Sequence, residues 1–203
     1  MTRPARRGRP GHDLESVLQA AARLFNERGY DGTSMEDLSR RLGITKSAIY
    51  HHVRSKEELL RLAVDRALDG LFAVAAEVDA MPGSAIDRLE RLVRGSVAVL
   101  ADQLPFVTLL LRVRGNTRVE RRALARRRDF DQFVAKLVQQ AEAEGDVRPD
   151  VDPMITSRLL FGMVNSLVEW YRPRADGSTG TELADAIYKI AFDGLRTRSG
   201  TRR

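Results

Sequence analysis

Apolar residues recur along the chain at the spacing of helix faces. Leu14, Val17, Leu18, Ala21, Leu24 and Phe25 follow the i, i+3, i+4, i+7 rule of a helix with one buried side, and Gly29 stands where it should end. Thr33 with Glu36, and Ser55 with Glu58, each put a hydroxyl at a helix start and a glutamate three residues on, the pattern of a capping box. These marks predict short helices over about 34–42 and 45–52, then a long one over about 56–80. Met81-Pro82-Gly83 breaks the pattern. Further helices are expected over about 84–102, 104–114, 118–144, 153–172 and 181–197, separated by Gly115-Asn116, Gly145, Pro149, Pro153, Pro173 and the Asp176–Gly180 stretch. With no β-branched alternation of useful length and no internal repeat, the expected fold class is all-α, in about nine helices.

Within this pattern, residues 34–53 have the make-up of a helix-turn-helix. Met35, Leu38 and Leu42 form an inner stripe on the first short helix, Gly43 permits the turn, and Ile44, Ala48, Ile49 and Val53 anchor the second. Thr45, Lys46, Ser47, Tyr50, His51 and His52 are left to face outward. With Thr33 and Lys56 they supply charges, hydroxyls and ring nitrogens, the groups that reach phosphates and base edges. A metal site at His51 and His52 is not expected, because adjacent helical residues point about 100° apart and no third donor stands near.

Charge agrees with a polyanionic partner: 34 Lys and Arg oppose 28 Asp and Glu in 203 residues, a formal net charge of +6. Arg3, Arg6, Arg7 and Arg9 precede the first acid, Asp13, and Arg7-Gly8-Arg9-Pro10 suits either a minor-groove arm or a solvated tail. The absence of cysteine removes disulfides and thiolate chemistry and fits a reducing cytoplasm. The longest apolar stretch, Leu104 to Val113, is interrupted by Pro105 and Arg112, so no membrane partner is expected. No catalytic arrangement of Ser, Lys, His or carboxylate is recognisable, and an enzyme is the poorer expectation.

The run Ala21-Ala22-Arg23-Leu24-Phe25-Asn26-Glu27-Arg28-Gly29-Tyr30, followed by Thr33-Ser34, Leu42-Gly43-Ile44-Thr45-Lys46-Ser47-Ala48-Ile49-Tyr50-His51-His52-Val53 and Ser55-Lys56-Glu57-Glu58-Leu59, resembles the TetR family. The resemblance implies that the 45–52 helix lies in the major groove of double-stranded DNA, with Tyr50 and Lys56 on phosphate; two such helices in a dimer are expected to read a palindromic operator. Val53 stands where the family usually has phenylalanine. The expected organisation is a basic arm over 1–11, a DNA-binding domain over 12–55, and a ligand-binding and dimerisation domain over 56–203.

The second domain is rich in large apolar side chains, among them Phe106, Leu109, Leu110, Phe130, Phe133, Leu137 and Phe161, which serve either as plain core or as the wall of an effector cavity. The segment from Leu160 to Pro173, with Asn165 and Trp170, and the upstream Arg126-Arg127-Arg128-Asp129-Phe130, resemble TetR regulators of fatty-acid, phenylacetate or sterol-ring catabolism. That resemblance implies an acyl-CoA effector; no resident cofactor is expected. Arg112, Arg114, Arg118, Arg121, Arg122, Arg126, Arg127 and Arg128 fall in one short span, and either hold its phosphates or form a solvated basic face. Arg112, Arg121 and Arg122 are the foremost phosphate candidates. The alternative within the same architecture is a multidrug sensor of an efflux gene; an enzyme or carrier on the same fold is a third reading. Excess apolar residues on the last two helices predict a homodimer held through Ile155, Leu159, Leu167, Ile187, Ile190 and Gly194, with Gly162 and Ala186 allowing close approach.

Overall fold

A computed structural model of the chain describes residues 13–173 and 178–194. Nine α-helices run in order among them: α1 Leu14–Arg28, α2 Met35–Leu42, α3 Lys46–Tyr50, α4 Lys56–Asp79, α5 Ala85–Asp102, α6 Leu104–Arg112, α7 Arg118–Glu144, α8 Pro153–Trp170 and α9 Ser178–Tyr188. A π-helical turn, Lys189–Asp193, continues α9 and stops at Gly194, whose φ is 78°. No strand occurs among the described residues. The all-α expectation therefore holds. Its last helix begins three residues earlier than the sequence pattern suggested, since Ser178 to Gly180 join α9 instead of breaking the chain.

Caps set the helix starts. Asp13, Ser34, Thr45, Ser55, Ser84 and Thr117 each accept a backbone N–H of the first turn. The first expected capping box is displaced by one residue: Ser34, not Thr33, is the cap, and Asp37, not Glu36, closes the box. The second is half as expected, because Ser55 accepts from Glu58 while the Glu58 carboxylate reaches the Arg54 N–H at 2.6 Å.

Helices α1 to α3 form a small head on the first half of α4; α4 then crosses α5, α6 and α7, and α8 and α9 close the far side. One continuous core runs through head and body, from Val17 and Leu38 through Leu60 and Leu68 to Val134 and Leu167. The α4–α5 crossing is close. A Cβ on Gly95 would meet Val74 Cγ1 at 2.4 Å, so this position is held to glycine by packing. No single helix among the described residues is long and apolar enough to cross a membrane.

Candidate nucleic-acid interface and effector cavity

The short α3 is held from below and bare above. Ile49 and Val53 are buried, Ile44 and Ala48 are half-buried, and Thr45, Lys46, Ser47, Tyr50, His51 and His52 are all exposed. The α2–α3 turn depends on Gly43, whose φ of 67° lies in the left-handed region, and is closed by the Ile44 N–H on the Ser39 carbonyl at 3.2 Å. Thr45 spends one lone pair on the Ala48 N–H, and its exposed hydroxyl can still donate. Lys46 pairs with Glu36, a contact that lowers the Glu36 carboxyl and raises the Lys46 ammonium from their ordinary values. The pair is exposed at both ends, so an incoming phosphate competes with Glu36 at little cost.

Two expected contacts are placed differently. Thr33 is buried, and its hydroxyl donates to the Gly29 carbonyl at 2.8 Å, which turns it away from the exposed face. Lys56 is half-buried over the Tyr30 ring, 4.2 Å from its centre, with Nζ donating to the carbonyls of Tyr30 and Thr33 at 2.9 Å. It fastens the loop before α2 and presents its remaining N–H at the rim. Arg7 and Arg9 lie outside the described residues.

The body holds a partly open cavity of about 40 Å³ between α4, α5, α6, α7 and α8. Of the candidate ligand residues, Leu110, Phe130, Phe161 and Asn165 line it; Phe130 meets Phe72 and Phe161 edge to face at 6.0 and 5.2 Å. Phe106, Leu109 and Leu137 are buried in the surrounding core and Phe133 is half-buried, all off the cavity wall. The other expected ligand residues fall outside it. Trp170 is exposed at the end of α8. Arg112 is exposed and donates to the Asn26 carbonyl at 2.9 Å. Arg121 binds the carbonyls of Gly115 and Asn116, and Arg122 lines an open groove between α4 and α7 with Arg54 and Arg118.

One arginine of that span does face inward. Arg127 lines the cavity with Asp131, Ser96 and Asn165. Burial pushes its guanidinium below the ordinary arginine value, and burial raises the Asp131 carboxyl, against the opposing charges of Arg127 and Arg158. Asp131 and Ser96 carried no sequence signal that separated them from ordinary helix positions. The neighbouring Arg126 points to the other side of α7 and pairs with Asp65 at 3.1 Å and Asp69 at 2.7 Å on α4.

A third feature lies on α8 and α9. Ile155 is 52% and Leu159 65% exposed; Gly162 and Trp170 on α8, Ala186 on α9 and Ile190 in the π-helical turn are exposed too, an apolar set left uncovered among the described residues. Gly194, at the end of the π-helical turn, is exposed as well. Two residues expected in this set belong to the protomer's own core instead: Leu167 is 2% and Ile187 7% exposed.

Residues 17–63 match the family model for bacterial regulatory proteins of the tetR family, and residues 82–195 match that for a tetracyclin repressor-like C-terminal domain. The chain is 57% identical to SCO3833, a member of the TetR transcriptional regulator family from Streptomyces coelicolor A3, over 89% of this chain and 91% of that one, with a TM-score of 0.84. It is 28% identical to AibR in complex with isovaleryl coenzyme A and operator DNA, over 88% and 97%, with a TM-score of 0.73. It is 27% identical to the HTH-type transcriptional repressor KstR2 of Rhodococcus jostii, over 93% of each.

Proposed function

The chain belongs to the TetR family of bacterial regulatory proteins, and from that premise we propose that it is a cytoplasmic, homodimeric repressor that leaves its operator when an acyl-CoA thioester enters the body. The observation that carries this reading is the way α6 joins the cavity to the reading head. Val107, Leu110 and Leu111 of α6 line the cavity. The same helix holds α1 at both of its ends: the Pro105 carbonyl accepts from Asn26 Nδ2 at 2.8 Å, and Arg112 donates to the Asn26 carbonyl at 2.9 Å.

A space of about 40 Å³ holds little more than one water molecule. An acyl group enters only by displacing a wall helix, and α6 cannot shift without dragging Asn26 and α1. Ligand then favours a conformer in which two heads no longer match the half-site spacing, which is the differential affinity that release requires. Joining two heads through the α8–α9 stripes gives a two-fold symmetric reader of a palindrome. AibR, described with isovaleryl coenzyme A and operator DNA, supports the ligand class, and the KstR2 repressor supports the sign of regulation.

Asp131 on the cavity wall favours a second reading, a sensor of lipophilic cations that controls an efflux gene; Arg127 one turn away opposes it. Genomic fragments selected by the protein, footprinted and then titrated with ligands, decide between them. The expected result is a palindromic footprint erased by micromolar acyl-CoA and left intact by free CoA, free acid or a lipophilic cation. Release by the cation alone overturns the acyl-CoA reading.

A further inference from the structure

The cavity wall is more polar than an unadorned fatty tail needs. Ser96 on α5 is 1% exposed, lines the cavity, and its hydroxyl has no hydrogen-bond partner among the described residues. Arg127 enters from α7. Of its five N–H donors one is used among the described residues, from Nη1 to the Leu110 carbonyl at a long 3.4 Å. Asn165 adds an amide from α8. The Ser96 hydroxyl is buried without a partner, while the half-buried Arg127 keeps N–H groups free, and an alkyl tail laid over both would leave them all without acceptors, which is expensive.

Resting on the acyl-CoA reading above, we propose that the effector's acyl group carries an oxygen acceptor of its own, a carboxylate or a ketone remote from the thioester, received by Arg127 and Ser96. Three helices each contribute a donor to one small space, and among the described lining residues Asp131 is the sole carboxylate, so the free Arg127 N–H groups have little on the wall to satisfy them. A carboxylate matches the guanidinium fork in two parallel hydrogen bonds, and a ketone takes one from the fork and one from the hydroxyl. The apolar majority of the wall, Leu68, Leu100 and Val164 among them, then packs on the carbon chain between oxygen and thioester.

Calorimetric titration of the full-length protein with adipyl-CoA, 5-oxohexanoyl-CoA and hexanoyl-CoA tests this, since the three share a six-carbon chain and differ in the oxygen. Both oxygenated thioesters should bind at least about tenfold more tightly than hexanoyl-CoA, the least that a hydrogen bond to a charged group is worth. Arg127→Met should abolish that preference, and Ser96→Ala should reduce it several-fold while sparing hexanoyl-CoA. If Arg127→Met does not fold, the wild-type ratio and Ser96→Ala carry the test. Hexanoyl-CoA binding as well as the others overturns this inference and leaves the acyl-CoA reading standing. A preference unchanged in both variants overturns the assignment to these residues. Failure of every thioester to bind overturns both.

Discussion

The reading head and the body use polar residues in opposite directions. In the head, Thr45, Lys46, Ser47 and Tyr50 stand outward on an element of five helical residues, above an apolar base made by Ile49 and Val53. In the body, Ser96, Arg127, Asp131 and Asn165 turn inward from three helices toward an otherwise apolar cavity. The head addresses a large ligand that arrives from solvent with its charges in place, so its groups need only be displayed. The body addresses a small ligand that must be enclosed, so its polar groups are held in a low-dielectric wall where each unmet hydrogen bond counts.

In the proposed dimer two heads act together, so the most damaging variant is one that separates them. Ile155→Glu with Leu159→Glu places two charges on the exposed stripe of α8 and should give folded monomers. Loss of the second, effectively intramolecular head should lower operator affinity by about 10²–10⁴. Sedimentation with circular dichroism checks it; a persistent dimer moves the interface off the stripe. Ile187→Glu is the contrasting control. Because Ile187 is buried in the protomer, that charge should unfold the body instead of dividing the dimer.

Within the head, display and support should separate cleanly. Tyr50→Ala and Lys46→Ala should each weaken operator binding by about one order of magnitude with the melting temperature unchanged, and Lys46→Ala should reduce the salt slope by about one. Ile49→Ala removes a fully buried side chain and should cost about 2–5 kcal/mol of stability. Operator affinity at wild-type level for both surface variants would refute the assignment of α3 as the reading helix.

How far each region was legible in sequence follows from how local its chemistry is. The α2–α3 turn, its apolar base and its outward face lie within 34–53, where helix period and glycine placement suffice. The errors there are single-residue ones. Thr33 and Ser34 are adjacent hydroxyls, and which one caps α2 depends on the Gly29 and Leu24 carbonyls that draw Thr33 inward. In the body the period marks a face as apolar without saying what covers it. Ile187 and Ile190 therefore read alike, although one packs in the protomer and the other is exposed. Arg126 and Arg127 are neighbours of one type; the packing of α7 on α4 sends the first to Asp65 and the second to the cavity.

The link between the two regions should be weaker than either and breakable alone. Asn26→Ala removes the side-chain bond to Pro105 at 2.8 Å and should cost about 1 kcal/mol of stability. Its larger consequence concerns signalling: the same operator affinity without ligand, but several-fold more effector needed for release. An unchanged release curve would place the coupling elsewhere, the Arg126 bridge to α4 being the next route.

The smallest effect is a difference in how the two regions meet acid. In the head, hydrogen bonds from the Ser34 hydroxyl and N–H, helped by Arg40, hold the Asp37 carboxyl down from 3.8 to about 2. A carboxyl depressed in the folded state binds fewer protons there than in the unfolded chain, so its contribution is complete above 3.8 and disappears as pH falls toward 2. In the body, Asp131 has the reverse sign. Burial raises its carboxyl, so the folded state binds the proton more readily and loses stability as pH rises from 3.8 through the raised value. Acidification from neutrality should therefore ease a strain in the body before it begins to loosen α2. Hydrogen exchange followed as pH is lowered from neutrality toward 2 separates the two, since one carboxyl is raised above 3.8 and the other is held down to about 2. Asp37→Asn should flatten the acid-induced loss of protection in α2 without touching α7, whereas Asp131→Asn should raise protection around α7 near neutrality and remove its pH slope. Parallel slopes in both helices, unchanged by either substitution, would show that the two carboxyls do not govern the acid response of their regions.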